Sequence, residues 1–105
     1  MLYGLYQTWN ELLLNFPKSQ RYTLGADCNT KILEILELVI MAGTIADKQV
    51  KRSKLKQASA KLDLLRLQVR LAKDCRCISN KQYLDVQKCI QEAGRMLGGW
   101  IKSLK

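Results

Sequence analysis

Residues 48–75 read KQVKRSKLKQASAKLDLLRLQVRLAKDC, a segment that contains neither glycine nor proline. Its apolar residues recur at alternating steps of three and four, which is the spacing of one face of an α-helix. We name this row the core stripe, and its members are Leu55, Ala58, Leu62, Leu65, Val69 and Ala72. The pattern predicts a long helix over residues 48–75 whose core stripe packs into the interior of the protein.

The same helix carries a second apolar row, which we name the outer stripe and which consists of Leu64, Leu67, Leu71 and Cys75. At 100° per residue, its centre lies about 150° around the helix from the centre of the core stripe. One small bundle has no room to bury both rows. The outer stripe therefore predicts a homo-oligomer in which Leu64, Leu67 and Leu71 contact a second copy of the chain.

Two helices are predicted on the amino-terminal side of this segment. Residues 2–16 have helical apolar spacing up to Pro17, whose ring ends a helix, and residues 17–24 are predicted as the connector. Residues 25–46 are apolar on nearly every side, which predicts a second, central helix that is buried on several sides.

The last helix is predicted to begin at Ser79, because Gln82 stands at the position that a capping box requires, and to run to the carboxyl terminus. Gly94 and Gly98 lie inside it, where each costs up to about 1 kcal/mol relative to alanine. We interpret both as places of close contact and assign them to the oligomer interface. The four helices predict an all-α, up-down-up-down four-helix bundle that forms one domain over residues 1–105.

The residue types argue against catalysis. The chain has no histidine and only 9 acidic residues against 18 lysines and arginines, whereas proton transfer near neutral pH usually relies on histidine or paired carboxylates. Glu34 and Glu37 are one helical turn apart but lack the Glu-x-x-His partner of a di-iron bundle site, which favours a solvated face. We therefore predict that the protein is not an enzyme and takes no cofactor and no small-molecule substrate.

The chain has four cysteines, Cys28, Cys75, Cys77 and Cys89. No apolar run is long enough to span a bilayer and the amino terminus lacks the pattern of a secretory signal, which predicts a cytoplasmic protein with no membrane partner. In that reducing compartment we expect the cysteines to be small buried hydrophobes. The alternative, a metal or redox protein built on Cys75, Cys77 and Cys89, stays open.

Positive charge is concentrated in one half of the chain. Residues 1–47 hold three lysines and arginines against five acidic residues, whereas residues 48–105 hold fifteen against four. A polarised basic half predicts a polyanionic partner, namely RNA or DNA. A helix face that is basic only because it is solvated remains the alternative.

Eight cations of the 48–75 helix are the predicted nucleic-acid contacts. Five of them fall within about 60° of one another on a helical wheel, and these are Lys48, Arg52, Arg66, Arg70 and Lys73. Lys51, Lys54 and Lys56 broaden the amino-terminal end of the row. Such a row binds phosphates with a steep salt dependence. The aromatic residues fall mostly on apolar faces, so we predict that they are core residues, and we do not expect sequence-specific reading of bases.

Two known families share sequence motifs with this chain. Residues 16–24, FPKSQRYTL, resemble the connector of the four-helix proteins encoded in intervening sequences of bacterial large-subunit ribosomal RNA genes. Residues 37–43, ELVIMAG, and 92–101, EAGRMLGGWI, resemble the accessory variability determinant (Avd) family of diversity-generating retroelements. This second resemblance covers nearly the whole chain.

The Avd resemblance implies a barrel-like homopentamer of four-helix protomers with a basic surface. It also implies that the protein binds the reverse transcriptase of the retroelement and its template RNA or DNA, and supports mutagenic cDNA synthesis without catalysing it. The alternatives are a ribosomal-RNA-associated protein of the intervening-sequence type and a structural scaffold that binds no nucleic acid.

Overall fold

The protein is described by a computed structural model over residues 2–104, and this part of the chain contains helices and turns without a strand. The four long helices are α1 (Leu2–Leu13), α2 (Ala26–Thr44), α3 (Lys48–Asp74) and α4 (Asn80–Ser103). Helix α1 packs on α2 and α4, and α3 packs on α2 and α4. Neighbours in sequence are thus neighbours in space, joined by short connections, as in an up-down-up-down bundle. The all-α prediction is confirmed.

The hydrophobic core lies between the four helices and is centred on the core stripe of α3. All six residues of that stripe are 0–1% exposed, which confirms their predicted burial. Helix α4 faces them with Val86, Ile90, Ala93 and Leu97, all of which are buried. Full burial of one large aliphatic side chain stabilises the fold by about 1.5–3 kcal/mol, so this row fixes which face of α3 points inward.

Side-chain caps fix where α3 and α4 begin. The Asp47 carboxylate accepts hydrogen bonds from the backbone N–H groups of Gln49 (2.8 Å) and Val50 (3.2 Å). At α4 the Gln82 N–H donates to Ser79 Oγ at 3.1 Å, and the Ser79 N–H donates to Gln82 Oε1 at 2.8 Å. The predicted capping box is therefore confirmed.

Helix α3 ends in a left-handed residue. Arg76 has a φ of 61°, its N–H donates to the Lys73 carbonyl at 2.9 Å, and the Cys77 N–H donates to the Ala72 carbonyl at 2.8 Å. These two bonds form the Schellman arrangement that closes a helix end, usually around glycine. The chain thereby turns back sharply, so that the last turns of α3 face the first turns of α4.

The prediction of a connector over residues 17–24 is wrong. Only residues 14–17 connect the helices, because a single helical turn spans Lys18–Gln20 and a π-helix spans Arg21–Gly25 and runs into α2. Pro17 stands immediately before this turn, where its missing N–H costs nothing, and its carbonyl accepts from the N–H groups of residues 20 and 21 at 2.9 Å. The proline therefore starts the second helical segment. Helix α1 correspondingly ends at Leu13 and not at residue 16.

The π-helix is held against α1 by a buried hydrogen bond. Trp9 Nε1 donates to the Gly25 carbonyl at 2.9 Å, and Trp9 itself is fully buried. A Cβ atom at Gly25 would collide with Leu13 Cδ2 and would lie 3.0 Å from Phe16 Cδ2. Arg21 Nη2 donates to the Leu14 carbonyl at 2.8 Å, which satisfies a free carbonyl beyond the end of α1.

Helix α2 is less buried in the single chain than its composition predicts. Cys28, Ile32, Ile35 and Ala42 are buried, but Leu33 is 42% exposed, Ile40 65% and Met41 45%. In a four-helix bundle each helix faces the core on one side only, and no other element of residues 2–104 covers the outer side of α2. None of the helices in this described part is long and apolar enough to cross a membrane.

Candidate nucleic-acid interface

All eight predicted nucleic-acid contacts lie on α3, but the structure divides them into two groups. The first group, which we name the amino-terminal cluster, comprises Lys48, Lys51, Arg52, Lys54 and Lys56. The second, the carboxyl-terminal cluster, comprises Arg66, Arg70 and Lys73. At 1.5 Å per residue, about 15 Å of helix separates the last cation of the first group from the first cation of the second. Asp63 lies in this gap.

The amino-terminal cluster is only partly brought together. Lys48, Arg52 and Lys56 are exposed, whereas Lys51 and Lys54 are half-buried. A shallow groove on the outer face is lined by Gln49, Arg52, Ser53, Lys56, Gln57 and Ala60. Within residues 2–104 no acidic side chain forms an ion pair with any of the five cations. Their charge is therefore left to solvent and counterions.

The carboxyl-terminal cluster borders a cleft of about 490 Å³ between α3 and α4. The cleft is lined by Asp63, Arg66, Leu67, Arg70, Tyr83, Gln87 and Gln91. Two guanidinium groups, one carboxylate, one leucine side chain, one phenol ring and two amides therefore surround one space. Arg70 has no ion-pair partner among the described residues, while Arg66 Nη1 lies 3.9 Å from Asp63 Oδ1, a long and exposed contact that contributes little.

The position of Arg66 depends on α4. Its Nη2 atom lies 3.3 Å from the place where a Cβ of Gly94 would be, so the guanidinium group rests against the glycine backbone. The Arg66 carbonyl accepts a 3.0 Å hydrogen bond from Gln87 Nε2. Gly94, which the sequence assigned to the oligomer interface, thus faces α3 of its own chain. Apart from its chain neighbours and the backbone of its own helical turns, no atom of residues 2–104 lies within 4 Å of the Cβ position of Gly98, which leaves its predicted role a prediction.

Tyr83 is a residue of this site that sequence reasoning missed. Tyr83 is half-buried and packs against the core, as predicted for the aromatic residues. Its ring also lines the cleft, and Lys73 Nζ lies 4.8 Å from the ring centroid. A cation over a ring at a partly exposed position contributes about 0.5–1 kcal/mol. The signal was present in the sequence, since Lys73 and Tyr83 lie symmetrically about the short connection between two antiparallel helices.

The outer stripe is exposed in the single chain, as the sequence predicted. Leu64 is 55% exposed, Leu67 67% and Leu71 49%. A second apolar surface that the sequence did not reveal is a groove of about 470 Å³ between α1, α2 and α4. It is lined by Leu2, Tyr3, Leu36, Val39, Ala93, Met96, Leu97 and Trp100.

The cysteines do not form a site. Cys28 and Cys77 are buried, Cys89 is half-buried, and all four thiols are free. Burial raises the pKa of the Cys28 thiol to about 12 and also raises the pKa of Cys77, which keeps both thiols neutral and unreactive. Cys75 is exposed, contrary to the prediction, because it belongs to the outer stripe. Within residues 2–104 no three His, Cys, Asp or Glu side chains are placed to hold a metal ion.

The two predicted solvated glutamates do not form a paired-carboxylate site either. Glu34 Oε2 lies 3.6 Å from Lys61 Nζ, and Glu37 is exposed on the next turn of α2. The ion pair joins α2 to α3 at the surface.

The fold and this surface define a class of protein: a small four-helix bundle with two exposed apolar surfaces and a basic helix face, most of whose cations have no ion-pair partner within residues 2–104. A family model described as bAvd-like matches residues 2–104. The chain therefore belongs to the bAvd-like family, which confirms the resemblance to the Avd proteins and places the chain in an accessory, non-catalytic family. No curated protein matches the sequence.

Proposed function

We propose that the protein is a non-catalytic, nucleic-acid-binding accessory subunit of a diversity-generating retroelement. In this role it associates with the reverse transcriptase and its template RNA and supports mutagenic cDNA synthesis. The observation that carries the proposal is the row of eight predicted cations on α3, seven of which have no ion-pair partner within residues 2–104, in a chain of the bAvd-like family.

The electrostatics of α3 support a polyanionic ligand. Lys48 and Arg52, and likewise Arg66 and Arg70, are like charges one turn apart on the helix, and each such pair destabilises an isolated helix by a few tenths of a kcal/mol. A phosphate backbone would relieve this repulsion and release its own counterions, which makes binding strongly favourable at low salt.

A homo-oligomer, pentameric as in the Avd resemblance, is part of the proposal. The exposed outer stripe and the groove between α1, α2 and α4 give each protomer two apolar surfaces that water would otherwise cover. Two different surfaces on each copy suit the head-to-tail contacts of a closed ring. A ring also multiplies the basic face, so that individually weak phosphate contacts act together.

The test is a titration of mixed-sequence single-stranded RNA and DNA at several salt concentrations. The logarithm of the affinity should fall steeply with the logarithm of the salt concentration, with a slope of about −0.7 per phosphate neutralised. Arg66→Glu combined with Arg70→Glu should weaken RNA and DNA binding alike and flatten the slope by about 1.4 if two phosphate contacts are lost. Lys88→Glu combined with Lys102→Glu makes the same charge change on exposed positions of α4 and serves as the matched control.

Binding that survives high salt, or that prefers one sequence strongly, would contradict the proposal. Equal weakening by the α4 control would mean that net charge alone matters and would contradict the assignment of the ligand to α3. If the protein bound neither RNA nor DNA at low salt, the alternative of a structural scaffold that binds no nucleic acid would be favoured.

A further inference from the structure

We propose that the cleft between α3 and α4 binds one nucleotide unit of a single-stranded nucleic acid, with its phosphate on Arg66 and Arg70 and its base against Tyr83. The proposal rests on the proposed nucleic-acid-binding function and names the part of the basic surface where a base, and not only a phosphate, is contacted.

The cleft is lined by two cations, Arg66 and Arg70, and by one carboxylate, Asp63. Arg66 and Arg70 are one helical turn apart, about 6 Å along the axis, and both line the same space. Arginine offers planar, forked N–H donors that match a phosphate. The guanidinium group of Arg66 can reach across to α4 because Gly94 has no side chain there. Gly94 is thus a positioning residue for this phosphate contact.

The remaining groups of the cleft suit a nucleobase. The Tyr83 ring lines the cleft, and Gln87 and Gln91 line it about one and two helical turns further along α4. Aromatic rings stack on bases of any identity, and amides can pair with base edges. The cleft volume of about 490 Å³ falls within the roughly 300–1,000 Å³ of small-ligand sites.

The half-buried Tyr83 ring selects a single strand over a duplex. Bases inside a duplex are stacked on both faces, and only an unpaired nucleotide can be splayed out to meet a side chain in a cleft. Leu67 lines the cleft and is also the most exposed of the three leucines in the outer stripe. The cleft would therefore open at the edge of the proposed subunit contact.

The test uses the full chain in its own oligomeric form and a 5′-phosphorylated uridine trinucleotide, with inorganic phosphate and an RNA duplex as comparison ligands. The trinucleotide should shift the NMR signals of the Tyr83 ring and the Gln91 amide, while the duplex should leave them in place. Tyr83→Ala should weaken trinucleotide binding about tenfold, the loss expected for one stacked base, and Tyr83→Phe should keep most of the affinity.

Two variants at exposed positions serve as a second test, because Tyr83 is half-buried and its replacement by alanine could also lower the stability of the fold. Arg70→Gln and Gln91→Ala alter exposed positions of α3 and α4, and each should weaken the trinucleotide severalfold. Gly94→Ala should weaken it less and should move the Arg66 side-chain signals. The control is Arg52→Gln combined with Lys56→Gln, which should leave trinucleotide binding within about twofold of wild type but weaken a long single strand, since these residues lie in the other groove.

Several results would overturn the assignment. The first is that the trinucleotide shifts the NMR signals of residues around Arg52 and Lys56 and not those of Tyr83. The second is that both Tyr83→Ala and Arg70→Gln bind the trinucleotide with unchanged affinity. The third is that inorganic phosphate, or the polyanion hexaglutamate, binds as tightly as the trinucleotide. In each of these cases a long single strand would still bind, and the proposed function would stand. If the wild-type protein did not bind a long single strand at all, the proposed function itself would be contradicted.

Discussion

Gly25 shows how a single residue fixes the approach of two helices. Its backbone accepts the buried Trp9 hydrogen bond, and its missing side chain leaves room for Leu13 and Phe16. Three residues of the motif at residues 16–24 make contacts at this corner. Phe16 packs edge-on against Trp9 with ring centroids 5.6 Å apart, and Pro17 starts the next helical turn. Arg21 donates a hydrogen bond to the Leu14 carbonyl.

Gly25→Ala should lower the free energy of unfolding by about 1–3 kcal/mol, because the added methyl group overpacks a filled site. Gly43→Ala is the matched control: it is a helical glycine whose Cβ would meet nothing within 4 Å, so the same change should stabilise the protein by up to about 1 kcal/mol. Urea unfolding of the two variants measures both effects. If Gly25→Ala were as stable as Gly43→Ala, the close packing at this corner would be refuted.

At the scale of the helices, periodicity predicted α3 and α4 well because one face of each helix meets the core over many turns. The six core-stripe residues and the capping box at Ser79 follow directly from that regularity. The π-helix was not predictable, because it depends on a tertiary hydrogen bond from Trp9 and not on local spacing. The burial of α2 was overestimated because composition reports how apolar a helix is, and not how much of its surface the other helices cover.

The outer stripe gives the prediction that belongs to this scale. Leu67→Glu should dissociate the oligomer while helicity is kept, because the side chain is exposed in the single chain and takes no part in the core. Light scattering measures the mass and circular dichroism the helicity. Leu14→Glu, at another exposed leucine after α1, should leave the assembly intact. A wild-type protein that is monomeric at micromolar concentration would contradict the oligomer.

Across the whole molecule, the sequence predicted which helix carries the cations better than it predicted how the cations are grouped on the surface. The eight predicted contacts, among the nine cations of α3, were identifiable from the sequence, but their division into a groove at Arg52 and a cleft at Arg66 depends on how α4 packs beside α3. For the same reason Tyr83 could be recognised as a cleft residue only once the two helices were placed side by side. Charge can be counted along a chain, whereas a cleft is a property of the packed helices.

The charge distribution and the family suggest how the molecule would work as a whole. A multivalent basic oligomer can hold a reverse transcriptase and its template together, and so raise the effective concentration of each near the other without a catalytic group of its own. Under the proposed function, the basic surface would be the working part of the protein and the bundle would be its support.

The most direct test of this claim is cDNA synthesis by the reverse transcriptase of the retroelement, primed on the RNA of the element, with and without this protein. Synthesis should require the wild-type protein. It should be lost with an oligomeric variant in which seven cations of α3 are neutralised, namely Lys48, Lys51, Arg52, Lys54, Lys56, Arg66 and Arg70. Neutralising three exposed cations of α4, Lys81, Lys88 and Lys102, should preserve synthesis. If the oligomer depleted of α3 charge supported synthesis as well as wild type, the basic surface would not be the working part and the account would be contradicted.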